Sequence, residues 1–281
     1  MARRVALVTD STSVDSELAE ALDVAVVPLQ VVIGATSYDE GVEANPEKVA
    51  AALRERSPVS TSRPAPEVFL RAFEEAAASG AEAVLAVLLS GEVSGTCESA
   101  QLAAREATLP VRAIDSRQIG MGTGFAVQAA AEALDAGASI DEAADVAQRR
   151  AAGTTALFYV DTLEFLRRGG RVGVAAALVG SALAVKPLLK VDNGCIVASE
   201  KVRTSSRALS RLEELAVAAA GDDRVDIAVS HLANLDRAET LAERLRTRVP
   251  KIEELVVNQV GAVIGAHVGP GMLAVVISPH L

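Results

Sequence analysis

Short apolar runs alternate with amphipathic stretches along most of this chain. Val5 to Thr9 reads as a strand that ends in Thr9-Asp10-Ser11-Thr12-Ser13, and Asp15 to Leu22 then reads as a helix with Asp15 in its first turn. Val24 to Val32 is β-rich but broken by Pro28, which predicts an edge strand or a strand pair. Asn45-Pro46-Glu47 starts a helix that runs to about Arg56, with Asn45 as cap and Pro46 at the first position. Residues 57–66 hold three prolines and four hydroxyl side chains, a composition that predicts a stiff extended loop, and Pro66 to Ala78 follows as a helix.

The alternation is clearest from residue 83 onward. Ala83 to Leu89 is a buried-strand pattern, Ser99 to Glu106 a helix, and Val111 to Ile114 a strand ending in Asp115-Ser116. Gly122 to Ala136 is a helix, and Ser139 caps another from Ile140 to Ala151. Strand and helix in turn imply right-handed crossovers and a parallel sheet. A second unit opens near Thr154, with a strand over Thr155 to Val160 and a short helix over Thr162 to Arg168 stopped by Gly169-Gly170. Lys186 to Val191 and Cys195 to Val202 flank Asp192-Asn193-Gly194, a hairpin signal, because Asn-Gly supplies the positive φ values of a tight turn. Helices over Thr204 to Ala220 and Leu235 to Arg248 and strands over Val225 to Ser230, Glu253 to Val257 and Leu273 to Ile277 complete the pattern. Residues 261–271 carry four glycines, Pro270 and His267. The expectation is an α/β protein of two α/β domains, 1–153 and 154–281. The first has a mainly parallel sheet flanked by helices and the second a mixed sheet.

Composition narrows what such a fold does. The 281 residues are 50% hydrophobic but only 2% aromatic and lack Trp, so the core is built from Ala, Val, Leu and Ile. A net charge of −10 disfavours nucleic acid and anionic membrane surfaces as partners. The longest apolar run, Val172 to Val185, is too short to span a bilayer, and Asp10 interrupts what Arg3-Arg4 and Val5 to Val8 might otherwise begin as a signal peptide. A cytoplasmic protein without a membrane span is expected, and, with no coiled-coil pattern or long apolar edge, a monomer. Cys97 and Cys195 lack metal or disulfide spacing.

The candidate chemistry centres on Ser90 to Ala100. A strand, a turn holding Gly91, Ser94, Gly95 and Thr96, and a helix start together suit an anion, through hydroxyls and unpaired N–H groups. The same residues also fit a plain helix cap at Ser94. Cys97 beside that helix start, with His267 elsewhere, leaves a Cys–His hydrolase open. Arg167, Arg168 and Arg171 form one basic cluster and Lys201, Arg203 and Arg207 another, either solvated faces or docking patches in an acidic chain.

Eight motifs in order carry a resemblance over essentially the whole length. They are Val8-Thr9-Asp10-Ser11-Thr12; Thr61-Ser62-Arg63-Pro64-Ala65-Pro66; Ser94-Gly95-Thr96 with Ser99-Ala100; Asp115-Ser116; Leu163 to Arg171; Lys186-Pro187; Lys201-Val202-Arg203; and His267-Val268-Gly269-Pro270-Gly271. With these the chain resembles the DegV family of bacterial fatty-acid-binding proteins, the lipid-carrying partners of a fatty acid kinase. It departs from the family pattern at Arg63, Ala65, Cys97 and 91–93, where Gln, Ser, Tyr and a different segment are usual. The resemblance implies a long-chain fatty acid in an apolar tunnel between the two domains, with no other cofactor and no metal. It implies a carboxylate bound by Thr61, Ser62, Ser94, Gly95 and Thr96, with His267 near the head group. It further implies a carrier rather than an enzyme, with Arg203 and Arg171 as candidates for docking a fatty acid kinase subunit. A lipid-responsive regulatory module is the other reading of the same features.

Overall fold

The computed structural model describes residues 3–172 and 186–281. Most of the apolar run expected at 172–185 lies outside the described residues; among those described, no helix is long and apolar enough to cross a membrane.

The first sheet is parallel throughout. It takes strands β1 (Val5–Asp10), β2 (Val24–Val27), β6 (Ala83–Leu88) and β7 (Val111–Asp115) in the order β2-β1-β6-β7. Its residues alternate between two cores, as a period of two requires. Leu7, Leu85 and Val87 face helices α5 (Met121–Asp135) and α6 (Ile140–Gly153), whereas Val8, Val84, Ala86 and Leu88 face α3 (Pro66–Ala78) and α4 (Thr96–Ala104). A six-stranded mixed sheet collects β8 (Thr155–Tyr159), β9 (Lys186–Asp192), β10 (Cys195–Val202), β11 (Val225–His231), β12 (Ile252–Gln259) and β13 (Leu273–Pro279) in the order β10-β9-β8-β13-β11-β12. Only β11 and β12 pair in parallel. One face of this sheet is covered by α8 (Ser205–Ala220) and α9 (Leu235–Arg248). The other meets α5, where Met121 and Phe125 pack on Ala156, Ala228 and Val276. The α5–α6 layer is thus shared by the two sheets. The strands of the first sheet all precede residue 154 and those of the mixed sheet all follow it, and we propose that the domain boundary lies there.

Local signals explain the starts of four helices and one turn. Asn45 caps α2 (Pro46–Arg54) by accepting from Lys48 N–H, Ser139 and Glu142 form a capping box at α6, and Thr204 accepts from Arg207 N–H at α8. Asp15 stands outside α1 (Ser16–Ala21) as its cap rather than within its first turn. Asn193 and Gly194 take φ of 50° and 83° at the β9–β10 turn, as Asn-Gly predicts.

Two further expectations are corrected, and two segments resolve into elements. Helix α4 begins at Thr96, three residues before Ser99, and its cap is Gly95, which has no side chain to bond. The 57–66 loop contains a strand, β5 (Val59–Ser62), which joins β3 (Gln30–Ile33) and β4 (Thr36–Asp39) in a third, antiparallel sheet of order β4-β3-β5. Pro28 therefore separates an edge strand of one sheet, β2, from the centre of another, β3. The glycine-rich 261–271 segment contains helix α10 (Ala262–Val268). Its Ala262, Val263 and Ala266 pack with Leu29, Val31, Ala44 and Val49, so α10 fills the core between the small sheet and α2.

Candidate functional site

A cavity of about 820 Å3 lies where these layers meet. The face of the mixed sheet turned away from α8 and α9 supplies Ala156, Phe158, Ala274 and Val276; α5 supplies Met121 and α10 supplies Ile264. These are apolar, as expected from alternation along β8 and β13. Thr61, Ser94, Arg171 and His267 also reach the wall, and they come from four separate elements or loops.

Thr61 stands on β5 opposite Val31, and its Oγ1 lies 2.8 Å from His267 Nε2. His267 sits in the last turn of α10. Burial, and secondarily the charge of Arg171, hold its pKa down at about 4, so the ring is neutral at pH 7. Its buried Nδ1 has no partner among the described residues. A buried N–H without an acceptor costs more than an unpaired lone pair. We therefore assign the ring proton to Nε2, which donates to Thr61 and leaves the Thr61 hydroxyl proton free to point at an anion. Arg171 is half-buried. Its Nε donates to the Val93 carbonyl at 2.9 Å and its Nη1 to the Gly169 carbonyl at 2.6 Å, which fixes the guanidinium at the cavity wall. Ser94 Oγ pairs with Thr96 Oγ1 at 2.8 Å.

The other site residues named from sequence fall outside the wall. Ser62, next along β5, points to the opposite face and donates to Gln30 Oε1 at 3.2 Å. Arg63 lies over Gly95, donating to its carbonyl at 3.3 Å and to Glu98 at 2.6 Å. Thr96 is fully buried behind Ser94. Arg203 is exposed in a separate groove with Lys201 and Arg207, whereas Arg171, grouped with it from sequence as a docking residue, is on the cavity wall.

Two buried carboxylates hold the site together, and the sequence did not single out either function. Asp10, at the end of β1, accepts from Leu89 N–H at 2.8 Å and from Thr12 N–H and Oγ1 at 3.1 and 2.5 Å. It thereby ties the segment leading to Ser94 onto the first sheet, although burial pushes its pKa up. Glu40 binds Ser11 and the first turn of α10. The signal available was a lone acidic residue beside Gly41, which is not specific.

Cys97 is 4% exposed, packed with Phe69, Phe73 and Ala100. Burial, then Asp115 and Asp10, push its thiol up to about 11, so the helix start does not activate it. Iodoacetamide at pH 8 is expected to modify the half-buried Cys195 and to spare Cys97 in the folded protein, read by peptide mass spectrometry. Rapid labelling of Cys97 would reopen the hydrolase reading.

Comparison with known proteins was consistent across sequence and structure. The family model described as "Uncharacterised protein, DegV family" matches residues 4–280. A DegV domain-containing protein of Streptomyces coelicolor is 54% identical over 279 residues, 99% of each chain. A Thermus thermophilus structure, described as fatty acid binding of a DegV family protein, superposes with a TM-score of 0.93 at 34% identity, covering 99% of this chain and 100% of that one. DegV of Bacillus subtilis, described as a fatty acid binding protein, superposes at 0.91 with 32% identity and the same coverage.

Proposed function

Because the chain belongs to the DegV family, we propose that it binds one long-chain fatty acid, with the tail in the cavity and the carboxylate against Thr61, Ser94, Arg171 and His267. The observation that carries this reading is a largely apolar cavity whose wall includes Thr61, Ser94, Arg171 and His267, with Thr61 Oγ1 2.8 Å from His267 Nε2. Burying about fifteen methylenes at about 0.8 kcal/mol each offers roughly 12 kcal/mol before the costs of binding. The tail therefore supplies the affinity. The head group is oriented by the Thr61 and Ser94 hydroxyls, and the Arg171 charge offsets the cost of taking a carboxylate out of water.

In this reading the chain is a carrier and performs no chemistry. It is a cytoplasmic monomer that offers the carboxylate to a separate fatty acid kinase, which forms the acyl phosphate. The exposed groove at Lys201, Arg203 and Arg207 is the docking face, since a basic patch on a chain of charge −10 attracts an acidic partner. Arg203→Glu is expected to lower kinase-dependent turnover while lipid occupancy stays unchanged; unaltered turnover removes Arg203 from the docking face.

Native mass spectrometry of the purified protein, followed by denaturation and lipid identification, tests the central claim. One fatty acid per chain supports it. A lipid-free protein that takes up no stearate when offered it refutes it.

A further inference from the structure

Helix α10 has no side chain of its own at its start. Its cap is Gly261, and the first-turn N–H of Val263 is instead satisfied from 223 residues away, by Glu40 Oε1 at 2.7 Å. Glu40 is 4% exposed, and both its oxygens are engaged. Oε2 accepts from Ser11 Oγ at 2.6 Å, and Ser11 Oγ in turn accepts from Leu29 N–H at 2.9 Å. One carboxylate thus joins the end of β1, the approach to β3 and the start of α10. Gly261 is fitted to it, because a Cβ there would stand 2.3 Å from Glu40 Oε1. At the far end of the same seven-residue helix, His267 meets Thr61. A seven-residue helix at 1.5 Å per residue is about 10 Å long, so a displacement of its first turn reaches its last.

We propose that Glu40 is the positioning residue of the Thr61–His267 pair: its carboxylate anchors the start of α10 and so sets where the imidazole stands. No glutamate side chain is needed at this position for packing alone, since Ala44 and Val49 already cover α10. What the carboxylate adds is acceptor capacity and charge at the helix N-terminus. Burial raises its pKa to about 7, with the charge of buried Asp10 on β1 adding to the rise. Around it, Asp39 and Glu43 flank the turn at the surface, Glu47 on α2 is held by Gln259, and Lys48 on α2 lies over the Tyr38 ring. His267 itself is neutral over pH 6–8.

The head-group role of the pair rests on the fatty-acid reading, but the pair's geometry can be read without ligand. Nitrogen-15 NMR of the histidine rings in ligand-free protein is compared among wild type, Glu40→Gln and Glu40→Leu, with stearate titrations alongside. Glu40→Leu is expected to shift or broaden the His267 Nε2 signal and to weaken stearate binding at least about tenfold, the scale of one lost buried hydrogen bond. Glu40→Gln, whose neutral amide oxygen still accepts from Val263 N–H, restores the His267 signal and binds stearate at every pH as wild type does at pH 6, more tightly than Glu40→Leu. In wild type stearate affinity falls between pH 8 and pH 6 as Glu40 takes up its proton, and in Glu40→Gln that component is lost. If Glu40→Leu does not fold, Gly261→Ala, whose Cβ would stand 2.3 Å from Glu40 Oε1, takes its place, and an unmoved His267 signal with wild-type affinity in that variant overturns the proposal. A folded Glu40→Leu protein with an unmoved His267 signal and wild-type affinity also overturns it. Wild type that binds no stearate, with a His267 signal that still moves on substitution, overturns the fatty-acid reading and leaves the positioning role standing.

Discussion

Thr61→Val together with Ser94→Ala is expected to abolish the proposed high-affinity fatty acid binding, while the protein keeps its fold. Each replacement preserves shape and removes one hydroxyl from the cavity wall. A hydrogen bond to a charged acceptor is worth about 1.5–3 kcal/mol, so two amount to about 3–6 kcal/mol, an affinity loss of roughly 10²- to 10⁴-fold. The loss exceeds what Arg171 can recover, because the guanidinium already spends donors on Val93 and Gly169. Valine keeps the β-branched character that suits β5 beside Val31. Isothermal titration with stearate and a melting curve check both parts. An affinity within threefold of wild type would place the carboxylate elsewhere in the cavity.

The largest effect on stability is expected at Arg150. It lies on α6, 1% exposed, and donates to Asp226 on β11, itself 1% exposed, and to Ser278 Oγ on β13 at 3.2 Å. Its guanidinium also stands 5.3 Å from the Phe125 ring centre. Among the described residues, Arg150→Met leaves buried Asp226 with His280 Nδ1, 2.9 Å away, as its one remaining side-chain partner. Breaking a buried ion pair by removing one member costs about 3–5 kcal/mol, a large part of a domain's total stability. Adding Asp226→Leu removes the stranded charge, and the double variant is expected to be more stable than either single one. Urea unfolding of the four proteins measures this. Equal midpoints for wild type and Arg150→Met would show that the pair contributes nothing.

Arg150 also illustrates what the sequence conceals. Nothing in Gln148-Arg149-Arg150 distinguishes the buried arginine from its exposed neighbour, because the difference arises only when α6 is laid against the mixed sheet. The strands were legible because their apolar runs must be buried. Asn45, Ser139, Thr204 and Asn193-Gly194 mark their caps and turn by short-range chemistry alone. Helix α10 was not legible for the opposite reason. Its cap comes from Glu40, Gly265 sits mid-helix against Leu232, and Gly269 and Gly271 adopt positive φ just beyond it. Strand β5 was read as a loop because its prolines dominate, although they lie outside the paired residues Val59–Ser62. Within the site, the motifs named Thr61, Ser94 and His267 individually. That Arg171 joins them at the cavity while Ser62, Gly95 and Thr96 do not is set by strand facing and by Arg63, which are properties of the assembled chain.

The distance along the chain between Thr61 and His267 bears on how the protein is born. They are 206 residues apart, and Glu40 and Val263 are 223 apart. At translation rates of about 5–20 residues per second, roughly 10–40 s pass between the synthesis of β5 and that of α10. Throughout that interval Leu29 and Val31 lack the Ala262, Val263 and Ala266 side chains that cover them in the finished molecule. The nascent chain therefore carries an open apolar sheet face, a surface suited to a chaperone. In the proposed reading, a chain that stops before α10 carries Thr61, Ser94 and Arg171 but neither His267 nor the β13 wall residues Ala274 and Val276, so the pocket closes only once these have been made.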